Sequence, residues 1–191
     1  MTLLVTYASR SGSTAEIAEA IGETLTKRGL SVDVQPMTQV TDVAPYQAVV
    51  AGSAVRQQEW LPEAMQFLEA HQHELAHKPV AIFEVCMALA TKNPTRYQSG
   101  LRAASSWMAP ARQIVNPISE GYFAGVLELK KIKELRFRIA LSLMVRIGLF
   151  PEGDHRDWDV IDNWANTLPA KLLTQTANSQ TAINQTAINH S

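Results

Sequence analysis

Apolar positions along this chain follow two alternating rhythms. The run "TLLVTYA" from Thr2 is continuously apolar and β-rich and ends in a turn. After it, "STAEIAEAIGETLTKRG" sets Ile17, Ala18, Ile21 and Leu25 at helical spacing and stops at Gly29. The cycle then repeats. "LSVDVQPM" from Leu30 alternates like a strand, and "YQAVVAGSAV" from Tyr46 reads as a buried strand ending in Gly52. "LPEAMQFLEAHQHEL" from Leu61 reads as one helix with Pro62 in its first turn. "KPVAIFEVCMALA" from Lys78 is a fourth strand, "PTRYQSGLRAASSWM" from Pro94 a short helix, and "ISEGYFAGVL" from Ile118 a fifth strand. Strands and helices that alternate through short connections predict an α/β fold. It is a doubly wound five-stranded parallel sheet with helices on both faces and the first strand central.

Two segments break the rhythm. Glu128 to Phe150, "ELKKIKELRFRIALSLMVRIGLF", starts as a basic amphipathic helix and turns almost wholly apolar, interrupted by Arg146. Between Glu128 and Arg146, six basic residues (Lys130, Lys131, Lys133, Arg136, Arg138 and Arg146) face two acidic ones. This local +4 leaves about −5 for the rest of a chain whose net charge is −1. An ordinary helix of the fold would pack Ile132, Leu135, Ile139 and Leu143 on the sheet, whereas Leu141, Met144, Val145, Leu149 and Phe150 exceed one face. A bilayer span needs about 20 apolar residues, so this stretch is too short and too basic to cross. It suits an anionic membrane surface or a neighbouring subunit of a homo-oligomer. Residues 174–191, in which "QTAIN" occurs twice, lack the side chains that would offset ordering entropy. They read as a disordered polar tail after one domain of residues 1–173.

Composition narrows the classes. With 191 residues and 46% hydrophobic content, the chain can bury one sizeable core. Its near-neutral charge gives no reason to expect nucleic acid. The segment after Met1 has neither the basic leader nor the long apolar stretch of a secretory signal and reads as a cytoplasmic start. A lone cysteine, Cys86, supports neither a disulfide nor a metal cluster. His71, His73 and His77 are not spaced to put three metal ligands on one helical face, and the dipole of a helix end accounts for them.

The chemistry concentrates after the first strand, where Ser9, Arg10, Ser11, Gly12, Ser13 and Thr14 follow one another. In a doubly wound sheet, ligands bind beyond the carboxyl ends of the strands. Free amides and the positive dipole end at a helix start attract an anion. The hydroxyls add donors, and Gly12 permits close backbone approach. A monophosphate can be held this way without lysine. The turn lacks both the G-x-x-x-x-G-K-[ST] of a triphosphate loop and the G-x-G-x-x-G of a dinucleotide site. A plainer reading stays open, in which Ser13 caps the helix and Gly12 serves the turn.

The stretch from Ser9 to Thr14 resembles the flavodoxin phosphate loop, usually T-x-T-G-x-T, which wraps the phosphate of FMN. Within that superfamily, "SRSGST", "GSAVR" and "FAGVLELKKIKELRFRIALSLMV" resemble segments of the quinone-dependent protoporphyrinogen dehydrogenases of haem synthesis. Arg10 inside the first loop and the Gly52 to Arg56 pattern after the third strand are the shared features. The resemblance implies the strand order 2-1-3-4-5 and FMN as cofactor. It also implies oxidation of a porphyrinogen, protoporphyrinogen IX, in three two-electron rounds, with a membrane quinone as acceptor.

On that resemblance, Ser9, Ser11, Gly12, Ser13 and Thr14 would hold the phosphate, with Arg10 adding charge. The flavin ring would lie between "GSAVRQQEW" and "VCMALATKNP". Gly52, Ser53, Ala54, Val55 and Arg56 on one side, and Cys86, Met87, Ala88 and Leu89 on the other, would flank it mainly through backbone atoms. Trp60 either sandwiches the ring or staples the start of the second helix. Arg56 stabilises charge on reduced flavin, holds a substrate carboxylate, or is a solvated loop residue. Cys86 is expected to be a small core residue. The sequence names no general acid or base, so the chemistry is assigned to the cofactor and the protein's part is to position it. Two rivals remain: an electron carrier or general NAD(P)H:quinone reductase with the same flavin site, and a binding module of this fold without flavin.

Overall fold

The computed structural model describes residues 2–129, 135–146 and 152–172. Expectations for Lys130, Lys131, Ile132, Lys133, Leu149, Phe150 and the tail from residue 174 lie outside the described residues. The first strand, β1 (Thr2–Ala8), is buried along nearly its whole length, as an unbroken apolar run must be when both faces of a parallel strand are covered. It leads into α1 (Ser13–Lys27) and then β2 (Ser31–Pro36), β3 (Ala48–Arg56) and β4 (Glu59–Trp60). Next come α2 (Pro62–Ala70), α3 (Gln72–Leu75), β5 (Val80–Cys86), α4 (Pro94–Trp107), α5 (Ala109–Val115) and β6 (Ser119–Ala124). The described chain ends with β7 (Val126–Leu127), α6 (Leu135–Arg146), β8 (Gly153–Asp154) and a helix over 158–172, α7.

Parallel pairing runs in the order β2-β1-β3-β5-β6. The two-residue β4 adds only an antiparallel partner to the end of β3, so this is the expected order 2-1-3-4-5 with one label inserted. The centre falls to β3 rather than β1, because the chain leaves β1 toward β2 on one side and places three strands on the other. α1 and α7 cover one face, where Leu3, Ile17, Ile21, Phe83 and Leu168 are buried. α2, α3 and α5 cover the other, around Leu4, Leu68, Leu75 and Ile82. Each such aliphatic or aromatic side chain contributes about 1.5–3 kcal/mol by leaving water.

Several boundaries differ from expectation. The helix expected from Leu61 splits at His71, whose φ of −106° and ψ of 13° leave the helical region. Pro110 closes the pattern of α4 and also opens α5, since a proline in the first helical turn sacrifices no hydrogen bond. The fifth strand breaks at Gly125, and β7 instead pairs antiparallel with β8. The chain between that pair includes α6. Leu135, Ile139 and Leu143 of α6, expected to pack on the sheet, are 58%, 61% and 62% exposed. Both sheet faces are already covered, one by α1 and α7 and the other by α2, α3 and α5. Among the described residues, no helix is long and apolar enough to cross a membrane.

Candidate functional site

Ala8, Ser53, Glu84 and Tyr122 lie in register across β1, β3, β5 and β6, so the strands finish along one carboxyl edge. The turn Ser9–Gly12 leaves that edge and delivers α1. The residue at the cap is Gly12, with φ at 95°, a left-handed conformation that costs a residue with a Cβ, and no side chain caps the helix. Ser13, expected on the plainer reading to be the cap, is instead the first helical residue. Its first-turn amides are left to the solvent or a ligand.

Within the turn, Ser9 Oγ accepts from the Gly12 N–H at 3.1 Å, which closes the loop on itself. Thr14 is fully buried, and its Oγ1 has no hydrogen-bond partner. Leaving such a group unpaired costs about 1–3 kcal/mol. An uncapped helix start beside an orphaned hydroxyl is a set of donors without an acceptor, which fits a phosphate. Arg10 donates from Nη2 to Glu63 Oε2 at 3.0 Å, so much of the charge expected of it is already answered by a carboxylate.

Gly52 to Arg56, expected as a loop, are the second half of β3. The strand runs past Gly52 because that glycine answers to packing rather than to a turn. A Cβ there would stand 2.0 Å from the Phe83 ring. The reversal comes at Gln57 and Gln58, both at positive φ (55° and 69°), in a two-residue hairpin that pairs Arg56 with Glu59. Ser53 is fully buried, and its hydroxyl accepts from the Leu61 N–H at 3.0 Å, tying the base of the hairpin.

Trp60 is 4% exposed and packs in the core, so its ring faces the interior and offers no platform for a flavin. Its Nε1–H donates to Glu84 Oε2 at 3.0 Å. Glu84 is fully buried, and its other oxygen has no partner. Burial pushes its carboxyl up to about 8, against the opposing pull of the Trp60 hydrogen bond and the Arg112 charge. Beside it, Arg112 reaches Glu120 through Nε at 2.5 Å and Nη2 at 2.8 Å and also donates to the Tyr122 hydroxyl. This hydrogen bonding holds the Glu120 carboxyl below the usual range. Sequence reasoning missed this group. Its one local signal was an acidic residue inside an otherwise apolar strand.

Cys86 ends β5 in the interior, its thiol pushed up to about 12 by burial. Met87–Leu89 then form a short 3₁₀ turn. This turn borders a cleft of about 1020 Å³ whose opposite wall is the Asp154–Val160 segment. The cleft takes in Met87, Ala88 and Leu89 but neither the Ser9–Thr14 turn nor Gly52–Arg56, although Val55 of the latter packs in one apolar cluster with Cys86, Ala88 and Leu89. Arg156, which sequence reasoning also missed, donates to Asp154 Oδ2 at 2.6 Å and pairs with Glu16 in the first turn of α1. It thereby joins the second wall of the cleft to α1.

Residues 4–146, well over half of the chain, match the family model described as a flavodoxin domain. A comparison with curated proteins gives no match. Among solved structures, a short-chain flavodoxin associated with a bacterial microcompartment aligns with a TM-score of 0.53 at 14% identity, covering 92% of this chain and 99% of that one. The flavodiiron protein from Giardia intestinalis aligns at 0.52 and 14% identity, covering 93% of this chain and 37% of that longer one. Two-electron reduced Megasphaera elsdenii flavodoxin aligns at 0.50 and 17%, covering 63% of this chain and 84% of that one. At such identities these likenesses establish the fold alone. The family match adds what they cannot: this chain belongs to the flavodoxin domain family.

Proposed function

We propose that this chain is an FMN-dependent oxidoreductase that oxidises protoporphyrinogen IX to protoporphyrin IX and passes the electrons to a quinone at a membrane surface. The cofactor is FMN, the flavin of flavodoxin domains. The observation that carries the reading is the uncapped start of α1, with Gly12 at positive φ and the buried Thr14 hydroxyl unpartnered. Thr14, Ser11, Ser13 and the first-turn amides take the phosphate, and Ser9 holds the turn in shape. The end of β3 and the Met87–Leu89 turn flank the ring through backbone atoms. When bound, FMN supplies two-electron redox chemistry.

Porphyrinogen oxidation is favoured over service as a carrier by the charge pattern. Carriers that meet protein partners through charge are usually strongly acidic, whereas this chain has a net charge of −1. Its α6 sets the exposed Leu135, Ile139 and Leu143 beside Arg136, Arg138 and Arg146. That combination suits an anionic lipid surface, where a quinone is found. The deciding measurement is an anaerobic flavin spectrum titrated first with porphyrinogen and then with a soluble quinone. The expected result is loss of the oxidised flavin band and its return. Rapid NAD(P)H oxidation with no response to porphyrinogen would overturn the substrate, and a protein that stays colourless after incubation with FMN would overturn the cofactor.

A further inference from the structure

The cleft between the Met87–Tyr97 and Asp154–Val160 segments is larger than most small-ligand pockets, which run to about 1,000 Å³ at the upper end. Its walls hold apolar surface that the fold leaves uncovered. Trp158 and Val160 are 44% and 43% exposed, and the partly buried Tyr97 and Tyr122 face the same space. Contiguous exposed apolar surface with a polar rim marks a binding site more often than a bare face.

The charges around it are unequal in their commitments. Asp154 is held by Arg156 through Oδ1 at 2.9 Å and Oδ2 at 2.6 Å. Asp157 accepts from the Val160 N–H at 3.1 Å and caps α7, and Asp159 lies in the first turn of that helix, where its charge meets the positive dipole end. Arg156 itself is spent on Asp154, on Glu16 and on the Trp158 ring, 4.5 Å away. Lys92 and Arg96 on the opposite wall are exposed, and among the described residues neither side chain makes a hydrogen bond or an ion pair. The acids are thus engaged and two cations are not.

We infer that this cleft is a second ligand site, separate from the anion cradle of α1, which takes a broad, flat, apolar molecule bearing carboxylates. Trp158, Tyr97 and Tyr122 supply the flat apolar contact, and Lys92 and Arg96 hold the carboxylates. The Met87–Leu89 turn borders the site, which sets the ligand beside the turn that flanks the ring. The inference rests on the proposed function in one respect, that the carboxylated molecule is the tetrapyrrole of that reaction, whose oxidised, conjugated form is the flat one.

The test uses the full chain loaded with FMN and two probes, protoporphyrin IX and its dimethyl ester, titrated by absorbance and porphyrin fluorescence. The diacid is expected to bind about tenfold more tightly than the ester. In the double variant Lys92→Glu/Arg96→Glu, diacid affinity is expected to fall about tenfold while ester affinity and FMN retention stay unchanged. Equal binding of diacid and ester, or unchanged diacid binding in the variant, overturns the site. Loss of FMN from the variant also overturns it, by assigning the cleft to the flavin. Charge-dependent diacid binding without porphyrinogen turnover supports the cleft while removing the proposed reaction, so the two failures are told apart.

Discussion

The indole N–H of Trp60 donates to a carboxyl oxygen of Glu84 across 3.0 Å inside the core, where the second oxygen of Glu84 has no partner. One hydrogen bond from a neutral donor does not offset complete burial of a carboxylate, so the folded protein favours the neutral acid. The carboxyl rises from an ordinary 4.5 to about 8, with Arg112 drawing it down and Glu120 pushing it up. The folded state therefore binds the extra proton between these pH values, and stability falls as pH rises from about 4.5 to about 8. Glu84→Gln keeps an acceptor for Trp60 and removes the titration. Urea midpoints measured across that range are expected to flatten in the variant; an unchanged slope would assign the dependence elsewhere.

The orphaned hydroxyl of Thr14 separates a structural role from a binding one. Thr14→Val removes a buried donor that makes no bond in the protein, so the stability of the flavin-free chain is expected to hold or to rise by up to about 1 kcal/mol. FMN affinity, read by quenching of flavin fluorescence, is expected to fall at least about fivefold. A variant that loses stability and binds FMN normally would place the hydroxyl in the fold and outside the cradle.

The hairpin after β3 carries Gln57 and Gln58 where both residues need positive φ. Asn and Gly adopt that conformation at lower cost. The pair Gln57→Asn/Gln58→Gly is expected to raise stability by about 1 kcal/mol, measured by denaturant unfolding. A lower midpoint would show that the glutamine side chains make contacts that outweigh the backbone cost.

The exposed stripe on α6 gives a prediction that leaves the flavin site untouched. Ile139→Glu/Leu143→Glu is expected to abolish sedimentation with vesicles containing anionic phosphatidylglycerol while leaving FMN absorbance unchanged. Vesicle binding equal to that of the parent chain would rule out a lipid role for this face.

The strands and helices were legible because each strand is a local apolar run and each helix a local periodicity, whereas the strand order came from the flavodoxin resemblance. Where the reading failed, the cause was a contact distant in sequence. "GSAVR" read as a loop because Gly52 looks like a terminator, whereas the Phe83 ring from the next strand demands that glycine. Trp60 read either as a flavin contact, being the one aromatic of the expected loop, or as a helix staple, yet its hydrogen-bond partner is an acid 24 positions on. The cradle was visible as a cluster of hydroxyls. The cleft was not, since its walls come from segments about 60 positions apart that only the fold brings together, and Arg156 finds Glu16 140 positions away. "DHRDW" carried the one available sign, an aspartate placed to cap a helix.

That guanidinium also determines how force would pass through the molecule. The excursion bearing α6 leaves the body at β7 and returns at β8, and directly after its return Arg156 grips the opening turn of α1. Among the described residues, a load on the excursion reaches the first helix through this ion pair and, further along α7, through the Thr24–Asp162 and Arg28–Asn166 hydrogen bonds. The return strand β8 and the opening turn of α1 are thereby mechanically coupled.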